Sequence, residues 1–451
     1  MGAQALFSKL DLKARLRARF TPTQRAGLKG IGWSYAAQAV GLVTKILSAM
    51  ILTRLLAPEA YGLFNVAVAV LLMLEWFADL GVHASLIRHP DGMTPEFLLT
   101  GWRIGVVRGL AMMLFVMLMS WPIAVFNDKP ALFAILFVIS LRPLLYELRS
   151  PGFPRLRREL DYRRIFIDEV VTNLVGTGVT ILVAWLTHSI WAFVIGMLAG
   201  AIAGLATSYA LVPYRPQWIW NPRAAREVAH ISRQIILNTM VMGIWMNLDR
   251  LVGLRLITAA DMGVYSVALN VAGTLDTLVQ RAADVHFSML SRIPDPALQL
   301  KSHLKVSTYV AFYVTALGVF MMVAGPYALG VLFPVKFAGA KILFAVLTAR
   351  SVLRGYGSFQ FQSLMAAGNI NANTKSFFLA AIAHAACLLP LVHMYGVLGM
   401  ALTHVASSVV YVACQSGLMW LRAQARLSHL LGVLAWTAVG LAVVFYFGIG
   451  R

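Results

Sequence analysis

The sequence predicts an all-α polytopic membrane protein: two parallel-repeat six-helix lobes around a central cavity, with one or two further helices at the C-terminus. Three observations predict it. Of 451 residues, 59% are hydrophobic and 12% charged, with a mean hydropathy of +0.75, whereas soluble domains are roughly half apolar and a quarter charged. Thirteen apolar segments reach the ~20 residues that cross a bilayer's hydrocarbon. A fourteen-residue pattern also recurs at an offset of about 201 residues.

The expected spans run 31–53, 61–86, 104–126, 130–148, 165–187, 189–212, 234–254, 262–288, 306–325, 338–365, 376–394, 397–421 and 430–449. Residues 1–30 read as a basic amphipathic arm lying on anionic cytoplasmic lipid, and 31–213 as the first lobe. Residues 214–233 read as a cytoplasmic inter-lobe linker, 234–421 as the second lobe and 422–451 as an extra helix. Short cytoplasmic loops retain Lys and Arg during insertion. With the N-terminus inside, the inner segments carry 25 of the 38 cations and the outer ones five: Arg54, Lys129, Arg255, Lys336 and Arg451. The +20 charge is thereby topogenic, and no nucleic-acid partner is implied. The setting expected is a bacterial inner membrane, with the N-terminus cytoplasmic.

The repeat pairs RLLAPEAYGLFNVA, from Arg54, with RLITAADMGVYSVA, from Arg255. Gly62 falls on Gly263, Phe64 on Tyr265 and Ala67 on Ala268. The offset encloses six helices, an even number, so both halves enter the membrane from one side. Their axis then lies along the membrane normal, as in transporters that rock one lobe against the other.

Eight cations lie within or near spans: Lys45, Arg108, Arg142, Arg250, Arg281, Lys341, Arg350 and Arg354. A cation at mid-bilayer costs about 2.5–3.5 kcal/mol on insertion scales, so it faces a partner or a wet cavity. Arg108 and Lys341 read as snorkelling side chains. Lys45, Arg250, Arg281, Arg350 and Arg354 are the candidates for an anionic head group, because Arg offers bidentate donors to phosphate and Lys a point charge. Arg54 and Arg142 are secondary candidates. Glu75, Asp79, Asp249, Asp276 and Asp284 are the expected charge partners or ion-coupling groups. Purely structural pairing would join Asp249 to a helix 8 cation, or Glu75 to Lys45. Five acids against five cations leave a residual positive cleft as the expectation. Trp33, Trp76, Trp245, Tyr265 and Tyr356 read as packing or interface aromatics first and as sugar-stacking platforms second.

Cys387 and Cys414 lie in apolar stretches without metal or disulfide spacing. His384, His393 and His404 also lack ligand spacing, and no phosphate loop, H-E-x-x-H or G-x-S-x-G motif occurs. The chain therefore reads as a transporter without a cofactor rather than an enzyme. A coupling ion, Na+ or H+, is left open, with Glu75, Asp79 or a buried His as proton carriers.

The stretches TRLLAPEAYGLFNVAVAVLLMLEWFADLGVHASLIRH, NLDRLVGLRLITAADMGVYSVALNV, FSMLSRI and AAGNINAN resemble the polysaccharide transporter and O-antigen flippase families of the multidrug/oligosaccharidyl-lipid/polysaccharide (MOP) exporter superfamily. The resemblance spans nearly the whole chain. It implies a two-lobed flippase that moves undecaprenyl-pyrophosphate-linked oligosaccharide from the cytoplasmic to the periplasmic leaflet by alternating access. The product would serve O-antigen, capsule or exopolysaccharide assembly, with membrane lipids and a polymerase or other assembly proteins as partners. Related lipid II flippases carry a basic residue nine positions before the Arg that ends helix 1, a spacing Lys45 and Arg54 match. Their basic pair in helix 2 is replaced here by Leu74 and Glu75, and many relatives have fourteen helices. The competing readings are a cation-coupled multidrug exporter of the same superfamily and a non-transporting scaffold of a polysaccharide assembly complex.

Overall fold

A computed structural model of the chain describes residues 22–78, 82, 86, 91–291, 293–368, 370–423 and 428–446. Among them are fifteen α-helices. They are α1 (Pro22–Leu55), α2 (Pro58–Ala78), α3 (Pro95–Phe126), α4 (Ala131–Ile139), α5 (Leu141–Glu147), α6 (Pro154–Arg158), α7 (Tyr162–Thr187) and α8 (Trp191–Leu211). They continue with α9 (Pro222–Leu256), α10 (Ala259–Leu290), α11 (Pro296–Leu332), α12 (Ala340–Ala366), α13 (Ile370–Tyr395), α14 (Val397–Ala423) and α15 (Ser428–Tyr446). The chain is an all-α polytopic membrane protein.

Local chemistry sets the starts. Pro occupies the first turn of α3, α6, α9 and α11, where a missing N–H costs nothing. Asp161, Asn221, Thr258 and Asp295 cap α7, α9, α10 and α11 with side-chain oxygens. Among the described residues each expected span coincides with a helix, the fourth being divided between α4 and α5 at Ser140. Nine helices among the described residues are long and apolar enough to cross a membrane by length and composition. Helices α9 and α12 fall short of that measure, and they are the two that carry Arg250 and the Arg350/Arg354 pair.

Packing sorts the helices into two sets. In the first, α7 packs on α8 and on α1, while α3, α4 and α5 pack together and meet α8. In the second, α12 is central and touches α10, α11, α14 and α15, with α13 against α9 and α14. The extra helix α15 thus finds its place on α11 and α12. The sets meet where α2 lies against α9 and α10, with lesser contacts of α9 on α3 and α1 on α10.

One end of this seam is shut. A Cβ on Gly62 would strike the Ala259 carbonyl, and one on Gly263 would strike the Pro58 carbonyl. Lys336 Nζ donates to Leu56 O at 2.7 Å and Asn270 Nδ2 to Asn65 Oδ1 at 3.3 Å. Tyr61 packs edge-on against Phe193 and Phe337. At the opposite, arginine-rich end the linker docks on α3, where Asn221 N donates to Thr100 Oγ1 at 3.0 Å and Asn221 Nδ2 to Glu96 Oε2 at 2.8 Å.

Candidate functional site

Two arginines of α12 meet one acid of α10, and basic side chains of α9 and α1 lie within electrostatic reach of them. Asp276 projects from α10 and pairs with Arg350 of α12. Arg354, one turn further along α12, has Nη1 3.9 Å from the same carboxylate. Its guanidinium lies over the Trp245 ring at 5.3 Å, with Nη2 3.4 Å from Met246 Sδ. Arg250 of α9 donates to its own helix at Met246 O, at 3.4 Å, and its charge is felt at Arg354. From the other side of the seam, Lys45 of α1 is drawn electrostatically to Asp276. Asp276 is the one acid ion-paired within this group among the described residues, and Arg250 Nε, Arg350 Nε and Asp276 Oδ1 are buried without a hydrogen-bond partner there. Unsatisfied buried donors on charged groups are costly unless a ligand completes them. A dianionic head group would supply acceptors and charge together.

Arg281 lies outside the group. It is exposed on α10, towards the arginine-rich end, and its charge reaches Glu169 of α7 across the seam. Arg142 also lies elsewhere, bonded to Glu75 at 2.5 Å within the first set, so the alternative pairing of Glu75 with Lys45 does not form. Arg108 is not a snorkelling residue but an ion pair with Glu147, because Gly105 and Gly109 of α3 leave room for the Glu147 side chain. Arg54 folds back on Met50 O of its own helix at the shut end. Asp284 accepts from Gln280 and Gln362. Asp79 lies outside the described residues, as do residues 1–21.

Asp249 does not pair with a cation of α10, the eighth expected span. It is fully buried, accepts from Tyr265 OH at 2.5 Å, and lies 3.2 Å from His404 Nε2 of α14. His384 of α13 completes a group of three ligand atoms all within 4.8 Å of one another. Its Nδ1 is 3.2 Å from Ser407 Oγ. Asp249 Oδ1 and His384 Nε2 are buried without a partner among the described residues. The two histidines are 20 residues apart across a helical hairpin turning at Gly396, where φ is +58°. Only the register of α13 against α14 brings them level, so no local spacing announced them.

Three of the aromatics pack in the core, as their first reading has it: Trp245 and Tyr356 are each 3% exposed and Tyr265 is fully buried. Trp33 lies against Phe166, and the Trp76 side chain lies outside the described residues.

The helical arrangement matches that of two solved transporters. An inward-facing multidrug resistance MATE family transporter matches with a TM-score of 0.70 at 14% identity, over 85% of this chain and 94% of that one. The lipid II flippase MurJ in an inward closed conformation matches with a TM-score of 0.68 at 12% identity, over 93% of each chain. By sequence the chain belongs to the polysaccharide biosynthesis protein family, whose model matches residues 51–342. The succinoglycan biosynthesis transport protein ExoT of Rhizobium meliloti (strain 1021) is 23% identical over 266 residues, 58% of this chain. The chain spans 53% of the length of that relative.

Proposed function

We propose that the chain carries a polyprenyl-pyrophosphate-linked oligosaccharide from the cytoplasmic to the periplasmic leaflet of the inner membrane, for O-antigen, capsule or exopolysaccharide assembly. No covalent bond is made or broken. The carrying observation is the group Lys45, Arg250, Arg350 and Arg354 near Asp276, on helices that face one another across the seam. Four cations against two carboxylates, Asp276 and the neighbouring Asp249, still leave an excess of positive charge that favours a dianion, whereas an exporter of cationic drugs would place an excess of acids there. Membership of a polysaccharide biosynthesis family supports the glycan, and likeness to a lipid II flippase supports the lipid-linked form.

The shut end, cation-poor in sequence, is the periplasmic side in this reading, and the arginine-rich end is cytoplasmic. In this reading the form described is closed on the periplasmic side, and alternating access requires the Gly62–Gly263 contact to part. Asp249, His384 and His404 serve as the coupling-ion site. One carboxylate and two imidazoles suit a proton better than Na+, which prefers hard oxygen ligands.

Lys45→Ala and Arg354→Ala, expressed at the parental level, test the reading in cells. Lipid-linked glycan is expected to accumulate inside while surface polymer falls. Normal polymer in both variants removes the cationic site.

A further inference from the structure

Residues of α1, α2, α5, α7 and α8, together with Arg149, line a partly open cavity of about 420 Å³. That is within the size range of small-molecule pockets, roughly 300–1,000 Å³. Arg142 and Arg149 line it, while their carboxylate partners, Glu75 and Asp168, stand behind them and off the wall. Charge on each guanidinium is therefore neutralised, yet each keeps N–H donors beyond the one its carboxylate takes, out of five. Arg149 Nε and Thr172 Oγ1 are buried without a partner among the described residues. Asn173 and Thr177 add an amide and a hydroxyl to the same wall. Phe64 and Phe193, stacked at 4.7 Å, close one end.

The glycines on the wall have a packing role: Gly176 and Gly200 let α7 and α8 touch, and Gly204 leaves room for Thr172. That role does not account for the surplus donors beside an aromatic floor. A neutral ring with many hydroxyls uses both, its oxygens accepting from Arg, Thr and Asn while its C–H face rests on Phe. An acidic sugar would meet guanidinium groups already neutralised.

We infer that this cavity is a saccharide subsite that takes a neutral hexose unit of the lipid-linked glycan. Ser48, on its rim, lies three residues and so about 4.5 Å along α1 from Lys45. A sugar attached to a pyrophosphate held at the cation group is thereby within reach. The source of the hexose rests on the flippase reading; the cavity's chemistry does not.

The test uses the full chain in nanodiscs and two kinds of probe. Affinity is measured for bare polyprenyl pyrophosphate and for the same lipid bearing one glucose, galactose, N-acetylglucosamine or glucuronate. At least one neutral hexose is expected to tighten binding about tenfold or more. The double variant Thr172→Val, Asn173→Leu is expected to erase that gain and leave the bare lipid's affinity unchanged. A gain from no neutral hexose, a gain untouched by the double variant, or tighter binding of glucuronate overturns the inference. Failure of bare polyprenyl pyrophosphate to bind, or its indifference to Lys45→Ala, overturns the flippase reading instead. In that event Thr177→Cys, in a Cys387→Ser, Cys414→Ser background, decides the subsite alone. Protection from a thiol reagent by free neutral hexoses and not by inorganic pyrophosphate upholds it, and any other pattern rejects it.

Discussion

Gly62 and Gly263 face each other where α2 crosses α10, so close that a Cβ on Gly62 would lie 3.0 Å from the Gly263 amide nitrogen. The contact is reciprocal. Gly62 rests on the Ala259 carbonyl and Gly263 on the Pro58 carbonyl, and both the glycines and the carbonyls are separated by 201 residues in sequence. The repeat is therefore an interface with itself: the same turn of each half, related by a local two-fold, forms the plug of the shut end.

Gly62→Val and Gly263→Val should hold the two sets apart at that end, since the obstacle to each new side chain is rigid backbone. Labelling of Asn65→Cys by a membrane-impermeant thiol reagent applied at the shut end is expected to rise severalfold in either variant, with transport lost. Unchanged labelling would show that the contact does not control access.

The two α12 arginines should behave differently. Arg350 is 5% exposed and ion-paired, and removing either partner of a buried pair costs on the order of 3 kcal/mol. Asp276→Asn and Arg350→Ala are thus expected to lower thermal stability in detergent. Arg354 is 20% exposed and its Nη1 is 3.9 Å from the acid; its stacking on Trp245 contributes about 0.5–2 kcal/mol. Arg354→Ala should fold and fail to transport. Equal melting losses for Arg350→Ala and Arg354→Ala would contradict this division.

Much of the fold was legible because membrane helices announce themselves by length and apolarity, and the repeat because Arg54–Ala67 and Arg255–Ala268 keep residues that their contact demands. The cation group was legible residue by residue for Lys45, Arg250, Arg350 and Arg354, since any charge in an apolar window stands out. Partnerships were not. Glu75 goes to Arg142 rather than Lys45, Arg108 to Glu147 rather than the membrane surface, and Asp249 to a histidine rather than a cation of α10, the eighth expected span. Each choice depends on helix rotation and register, which periodicity leaves undetermined when all faces are apolar. The histidines of α13 and α14 were hidden for the same reason.

The buried Asp249, His384 and His404 group makes a prediction about driving force. In proteoliposomes an imposed proton gradient should accelerate translocation by the parental chain, and Asp249→Asn should run at the rate seen without a gradient. Acceleration by a Na+ gradient alone would assign the group to Na+ instead.

The central claim is most directly tested by translocation itself, with purified chain and a fluorescent polyprenyl-pyrophosphate-linked saccharide in proteoliposomes. The parental chain is expected to move the lipid between leaflets. Lys45→Ala and Arg354→Ala, folded and equally reconstituted, should each be slower by about tenfold or more, the equivalent of ~1.4 kcal/mol of lost head-group contact. Parental rates in both variants, or no movement above protein-free vesicles, would contradict the account.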